Sequence, residues 1–213
     1  MRSKFDEQLA LLNRDLTKMG SLCEEALALA AKALANADGQ TAAKIAPIDS
    51  EIDQMERTIE SLCLKLLLQQ QPVARDLRQI SAALKMITDM ERIGDQASDI
   101  AEIIGFLNGR IGTDAQYICQ MAVAAMRMVT ESVEAYVKRD VAMAEATIQH
   151  DDVVDDLFLK VKESLIQMIS ENPKDGEYAL DLLMIAKYFE RIGDHATNIA
   201  EWVVFSVTGV HEQ

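Results

Sequence analysis

The segment Glu91-Arg92-Ile93-Gly94-Asp95-Gln96-Ala97-Ser98-Asp99-Ile100-Ala101-Glu102 returns ninety-nine positions later as Glu190-Arg191-Ile192-Gly193-Asp194-His195-Ala196-Thr197-Asn198-Ile199-Ala200-Glu201, identical at nine of twelve positions. A chain that carries one pattern twice is built as two copies of one unit, so the fold of one half constrains the other. Packing alone would preserve apolar spacing and tolerate volume-matched swaps. The charged positions recur as faithfully as the apolar ones, which points to chemistry as well as core.

The flanking pattern is helical throughout. Phe5, Leu9, Leu12, Leu16, Met19, Cys23, Ala26, Ala30 and Leu34 advance in steps of three and four, the stripe of a long amphipathic helix. It should stop near Asp38-Gly39, with Asp38 capping the next helix. That second helix carries Ile48, Ile52, Met55, Ile59, Leu62 and Leu66, with Pro47 expected to kink it or delay its start. Pro72 suits the first turn of a third helix, which shows two apolar stripes and so packs against two neighbours. Asn108-Gly109 and Gly112 form the interior break. The second half repeats the plan, with Asp140 in the place of Asp38 and Pro173 in the place of Pro72. No segment alternates with the period of a strand. The pattern predicts an all-α protein of two tandem three-helix bundles, residues 1–109 and 110–213.

Glu91 and Asp95 are four apart and fall within the second apolar stripe of helix three, and Glu190 and Asp194 do the same in helix six. Residues at one level of an antiparallel hairpin share a constant index sum. On that rule Asp53 meets Glu91 and Asp49 meets Asp95 about a turn centred on Pro72, while Asp155 meets Glu190 and Asp151 meets Asp194 about a turn beside Pro173. Helix axes pack about 8–10 Å apart, so these carboxylates should converge. Bare, they would repel and some would take up protons; a multivalent cation removes that penalty. Carboxylates without thiolates suit magnesium, manganese, calcium or iron, with zinc also compatible. Gly94 and Gly193, each costing about 1 kcal/mol inside a helix, would let a neighbouring helix or a cation come close. A single E-x-x-x-D is ordinarily a solvated helix edge; duplication and matching register set these two apart. Asp99 reads as a peripheral ligand at most, since its repeat partner is Asn198. His195, turned about 100° from Asp194, reads as a surface histidine, as do His150 and His211. Arg92 and Arg191 should pair with neighbouring acids.

The net charge of −14 over 213 residues argues against nucleic acid or anionic lipid as main partner. Cys23, Cys63 and Cys119 are odd in number and embedded in helical patterns, which fits reduced thiols and an intracellular setting. No apolar run is long enough to span a bilayer, so no direct membrane insertion is expected.

The paired E-R-I-G-D segments, each preceded by an acidic D-x-x-x-D helix, together with Gln71-Pro72-Val73-Ala74-Arg75-Asp76-Leu77-Arg78, resemble the PhoU family of phosphate-regulon accessory proteins over nearly the whole chain. The resemblance implies a cytoplasmic protein, commonly a homodimer, that binds metal ions or metal clusters at its acidic motifs. It also implies a link between the ATPase subunit of a phosphate ABC transporter and a sensor histidine kinase, keeping phosphate-starvation genes repressed when phosphate is plentiful. Carried over by position, the first metal site would use Asp49, Asp53, Glu91, Asp95 and Asp99, and the second Asp151, Asp155, Glu190 and Asp194. Asn198 departs from the fuller pattern, so the second site is expected to hold fewer ions or hold them less tightly. Two other readings compete. A carboxylate-bridged di-metal enzyme would want Glu-x-x-His, which the chain lacks; an unmetallated structural bundle would bind no metal.

Overall fold

The structure, a computed structural model, describes residues 2–70, 72–107, 109–111 and 115–210; Gln71, Asn108, Gly112 and His211 lie outside them. Its elements are α1 (Arg2–Asn36), α2 (Gly39–Ala42), α3 (Ile45–Gln70), α4 (Ala74–Phe106), α5 (Gln116–Lys138), α6 (Val141–Gln149), α7 (Asp151–Glu171), a 3-10 turn (Pro173–Asp175) and α8 (Gly176–Thr208). No strand occurs among the described residues. α1, α3 and α4 form the first three-helix bundle; α5, the α6–α7 pair and α8 form the second.

The predicted stripes are the buried ones. Leu12, Leu16, Met19 and Cys23 of α1 pack with Ile52, Ile59 and Leu66 of α3. α4 buries Met86, Met90, Ile93, Ala97 and Ile100 along one stripe and Ile80, Ile87 and Gly94 along the other. Fully burying a Leu or Ile side chain contributes about 1.5–3 kcal/mol, so these stripes hold the bundles together. The bundles also meet each other, α4 against α8 and α1 against α5, and their apolar side chains merge into one cluster.

Both expected caps form. The Asp38 carboxylate accepts from the Gln40 and Thr41 amides at 2.9 and 3.2 Å, and Asp140 accepts from Met143 at 3.0 Å. Beyond the two caps the helices diverge. Pro47 lacks the N–H that would bond the residue 43 carbonyl, and its ring would collide with that oxygen, so α2 stops after one turn and α3 starts afresh at Ile45. Helix five, expected as one run, is instead two helices meeting at His150. There the His150 amide splits between the Ala146 and Thr147 carbonyls at 3.2 and 3.1 Å, and Val153 bonds back to His150 over only three residues at 3.1 Å. That tightening turns the axis between α6 and α7. His150 is partly exposed and also engaged, its Nδ1 lying 3.0 Å from Glu131 Oε2 on α5. Pro72 precedes α4 by two residues rather than opening it.

Candidate metal centre

α3 sets Asp49 and Asp53 one turn apart, and α4 sets Glu91 and Asp95 one turn apart on the surface facing them. Asp49, Asp53 and Asp95 each offer an oxygen, and these oxygens lie within 4.8 Å of one another; no other group of three His, Cys, Asp or Glu residues is this close among the described residues. Glu91 borders the trio, its carboxyl held above the ordinary carboxylate range by burial first and by the neighbouring Asp95 charge second. Arg92 lies alongside, its Nη1 3.1 Å from Asp95 Oδ2 and its Nε 3.4 Å from Glu91 Oε2, as expected of an arginine beside acids.

Asp49 is the least ordinary of these carboxylates. Its Oδ2 accepts from Ser98 Oγ at 2.8 Å, while its Oδ1 is buried with no hydrogen-bond donor. Gly94 makes room for it: a Cβ there would stand 2.7 Å from Asp49 Oδ1 and 3.0 Å from Ile52 Cδ1. Burial raises the Asp49 carboxyl first; the Ser98 hydroxyl opposes, and the Asp95, Asp53 and Asp99 charges add to the rise. A buried carboxylate oxygen without a donor costs about 1–3 kcal/mol or more. A cation among three converging carboxylates supplies what that oxygen lacks, so the donor set fits a hard or borderline metal ion.

The second repeat gathers its acids more loosely. Asp151 Oδ1 stands against Gly193, where a Cβ would sit 3.1 Å away. Its carboxyl is pushed up to about 6 by burial, then by the charges of Asp194, Asp155 and Glu190. Asp194 is raised likewise, by burial and then Glu190. Asp155 and Asp194 are exposed. Glu190 is already occupied, with Lys187 Nζ at 2.6 Å from its Oε1. Thr197, at the position of Ser98, leaves its buried Oγ1 without a partner.

Asp99 is not drawn into the trio. It lies near Tyr188 where α4 packs on α8, and the Tyr188 hydroxyl is held above its ordinary range by burial first and by the Asp99 charge second. The pseudo-equivalent contact lies alongside, with Asn198 Nδ2 donating to Asp89 Oδ1 at 3.2 Å. His195 is a further correction. It is no surface residue but bridges the repeats, with Nδ1 2.8 Å from Asp89 Oδ1 and Nε2 3.1 Å from Gln96 Nε2. Gln96 and His195 occupy the same repeat position, so the two copies meet through equivalent residues on antiparallel helices. The register of either hairpin alone does not reveal this seam. Ser98 and Lys187 are absent from the predicted set, although their spacing of three from Asp95 and Glu190 on one helix face was available as a signal.

Comparison with known proteins places this architecture among described ones. The family model described as "PhoU domain" matches twice, over residues 16–104 and 118–203. The chain is 36% identical over 210 residues to the phosphate-specific transport system accessory protein PhoU homolog of Clostridium acetobutylicum, covering 98% of this chain and 96% of that protein. It is 34% identical over 208 residues to the homolog of Pseudomonas aeruginosa, covering 97% and 86%. The crystal structure of PhoU from Pseudomonas aeruginosa superposes with a TM-score of 0.92 at 34% identity, covering 97% of this chain and all of that one. The phosphate transport system regulatory protein PhoU from Streptococcus pneumoniae gives 0.87 at 26% identity, covering 98% and 99%.

Proposed function

The chain belongs to the PhoU family, and from that premise we propose that it is a non-enzymatic, metal-binding regulatory accessory protein of a phosphate transport system. In this reading it couples the ATPase subunit of a phosphate ABC transporter to a sensor histidine kinase and represses the phosphate-starvation response. It works as a homodimer on the cytoplasmic side, peripheral to the transporter. Residues 1–109 and 110–213 act as its two domains. No helix among the described residues is long and apolar enough to cross a membrane, which is compatible with peripheral attachment.

The metal reading is carried by one observation: Asp49 Oδ1, buried without a donor beside Asp53 and Asp95. Asp49, Asp53 and Asp95 would hold the first ion, with Glu91 at the border. Asp151, Asp155, Glu190 and Asp194 would hold a second, weaker one once Lys187 releases Glu190. Iron, zinc, magnesium and manganese are the candidates. The chain contains no Glu-x-x-His on facing helices, which disfavours the di-metal enzyme reading.

Elemental analysis of protein purified without chelators, with Asp49→Asn beside it, tests the metal reading. Stoichiometric metal that falls in the variant supports it, and none in either protein leaves the unmetallated bundle. For the regulatory role, deleting the gene should switch on a phosphate-starvation reporter in high phosphate; an unchanged reporter overturns it. Co-purification with the transporter ATPase and the kinase checks the partners.

A further inference from the structure

The Pro72–Arg78 part of the motif is not used by the acidic centre. It leads into α4 at the opposite end of the hairpin, where the start of α4 meets the ends of α5 and α8. Tyr136 of α5 donates its hydroxyl to the Gln79 carbonyl at 2.9 Å, and Arg139 Nη1 donates to the buried Gln79 Oε1 at 3.2 Å. Arg78 lies along the end of α8, its Nη1 3.4 Å from where a Cβ on Gly209 would stand. Arg57, Arg92, Arg110 and Arg127 each reach a carboxylate. Arg75, Arg78 and Arg139 form no such ion pair among the described residues, and Arg78 Nε is buried without an acceptor. Guanidiniums crowded in this way oppose one another. Burial first, then the Arg75 charge, lowers the proton affinity of Arg139, with Arg78 adding to the effect and Asp76 offsetting part of it.

Packing does not require this arrangement. Arg139 ends α5 in the left-handed region at φ 56, and its counterpart Ala37 ends α1 the same way at φ 49. The repeat positions of Arg75 and Arg78 are Lys174 and Glu177. The same junction therefore folds without three arginines. Arg139 at the end of α5 and Arg78 beside the end of α8 lie where cations are favoured, at helix C-termini, but this leaves the Arg78 Nε donor unused. Val73 at the N-cap of α4 supplies no side-chain cap to the amides of its first turn.

We propose that Arg75, Arg78 and Arg139, with the open first turn of α4, form a binding site for a tetrahedral oxyanion of the phosphate class, distinct from the acidic centre. Guanidinium forks match such an anion in shape and number of donors, and helix N-terminal amides add to them. The choice of phosphate as first probe rests on the transport reading above; the site itself does not.

The test uses the full chain after chelator treatment, so that loss of the metal reading cannot mimic loss of this one. Inorganic phosphate, glycerol 3-phosphate and sulfate are titrated separately against chloride at matched ionic strength, read by thermal midpoint and, for the phosphates, by phosphorus NMR line width. A saturable response is expected, weakened about tenfold or more by Arg139→Gln and by Arg75→Gln, the latter an exposed position that leaves the fold intact. The arm that saturates at lowest concentration identifies the free ion or an esterified group, and a sulfate response with the same arginine dependence supports the site while detaching it from phosphate. A response no greater than chloride in all arms, or one undiminished in both variants, overturns the proposal.

Discussion

The two acidic clusters descend from one motif yet differ in how they treat their anions. In the first repeat, Asp49, Asp53 and Asp95 converge within 4.8 Å and Asp49 is steadied by Ser98, with one oxygen left without a donor. In the second, Lys187 already neutralises Glu190, Asp155 and Asp194 face solvent, and Thr197 does not take the role of Ser98. Identical E-R-I-G-D segments therefore give one cluster with a buried carboxylate oxygen that has no donor and one in which a lysine engages Glu190 while burial and neighbouring charges still raise Asp151 and Asp194. The repeated motif places an acidic pair on each helix; how the acids of each cluster are engaged is set by neighbours such as Ser98 and Lys187.

The contrast is broken most directly by neutralising the central acid of each cluster. Asp49→Asn is expected to weaken metal binding about a hundredfold and Asp151→Asn about tenfold, measured by competition with a metal-sensitive dye. Equal losses would show that the two clusters are equally committed to metal. Gly94→Ala sharpens the comparison sterically. Its methyl would press on Asp49 and Ile52, so metal affinity should fall about tenfold even though alanine favours helix by about 1 kcal/mol. Gly193→Ala has more space and should leave affinity within a fewfold and raise the thermal midpoint.

A third prediction concerns pH in chelated protein. The Asp151 carboxyl is raised to about 6, so the folded chain binds this proton more tightly than the unfolded one. Its contribution to stability is then fully present below about pH 4 and is lost as pH rises through about 6. Discounted for partial solvent screening, the loss is about 1–2 kcal/mol. Denaturant titrations should show this slope in the parent and a flatter one in Asp151→Asn; parallel curves would remove Asp151 as its source. The smallest effect is expected from Lys187→Met, which frees Glu190 and should tighten metal binding in the second cluster about threefold to fivefold. Thr88→Lys, the reciprocal change in the first repeat, should weaken binding there by a similar factor.

Much of this was legible in the chain. The helical stripes at steps of three and four, the Asp38 and Asp140 caps, and the hairpin levels that face Asp49 with Asp95 all follow from local periodicity and turn position. The break at His150 was not legible, because no proline or glycine marks it and the turn comes from amide bonds shared between two carbonyls. Nor was the setting of Asp99 near Tyr188, or of His195 against Asp89, each pair joining the two repeats about a hundred residues apart along the chain.

By itself the sequence determined an all-helical protein made of two copies of one three-helix unit, with paired carboxylates on facing helix surfaces. Such features repeat every few residues and need only the geometry of a single helix or hairpin. Which carboxylates close into a tight trio, which one is claimed by a lysine, and how α4 seats on α8 were decided by the tertiary structure alone. Those outcomes depend on side chains that meet only after both bundles have packed, when burial sets the penalty for every unpaired charge.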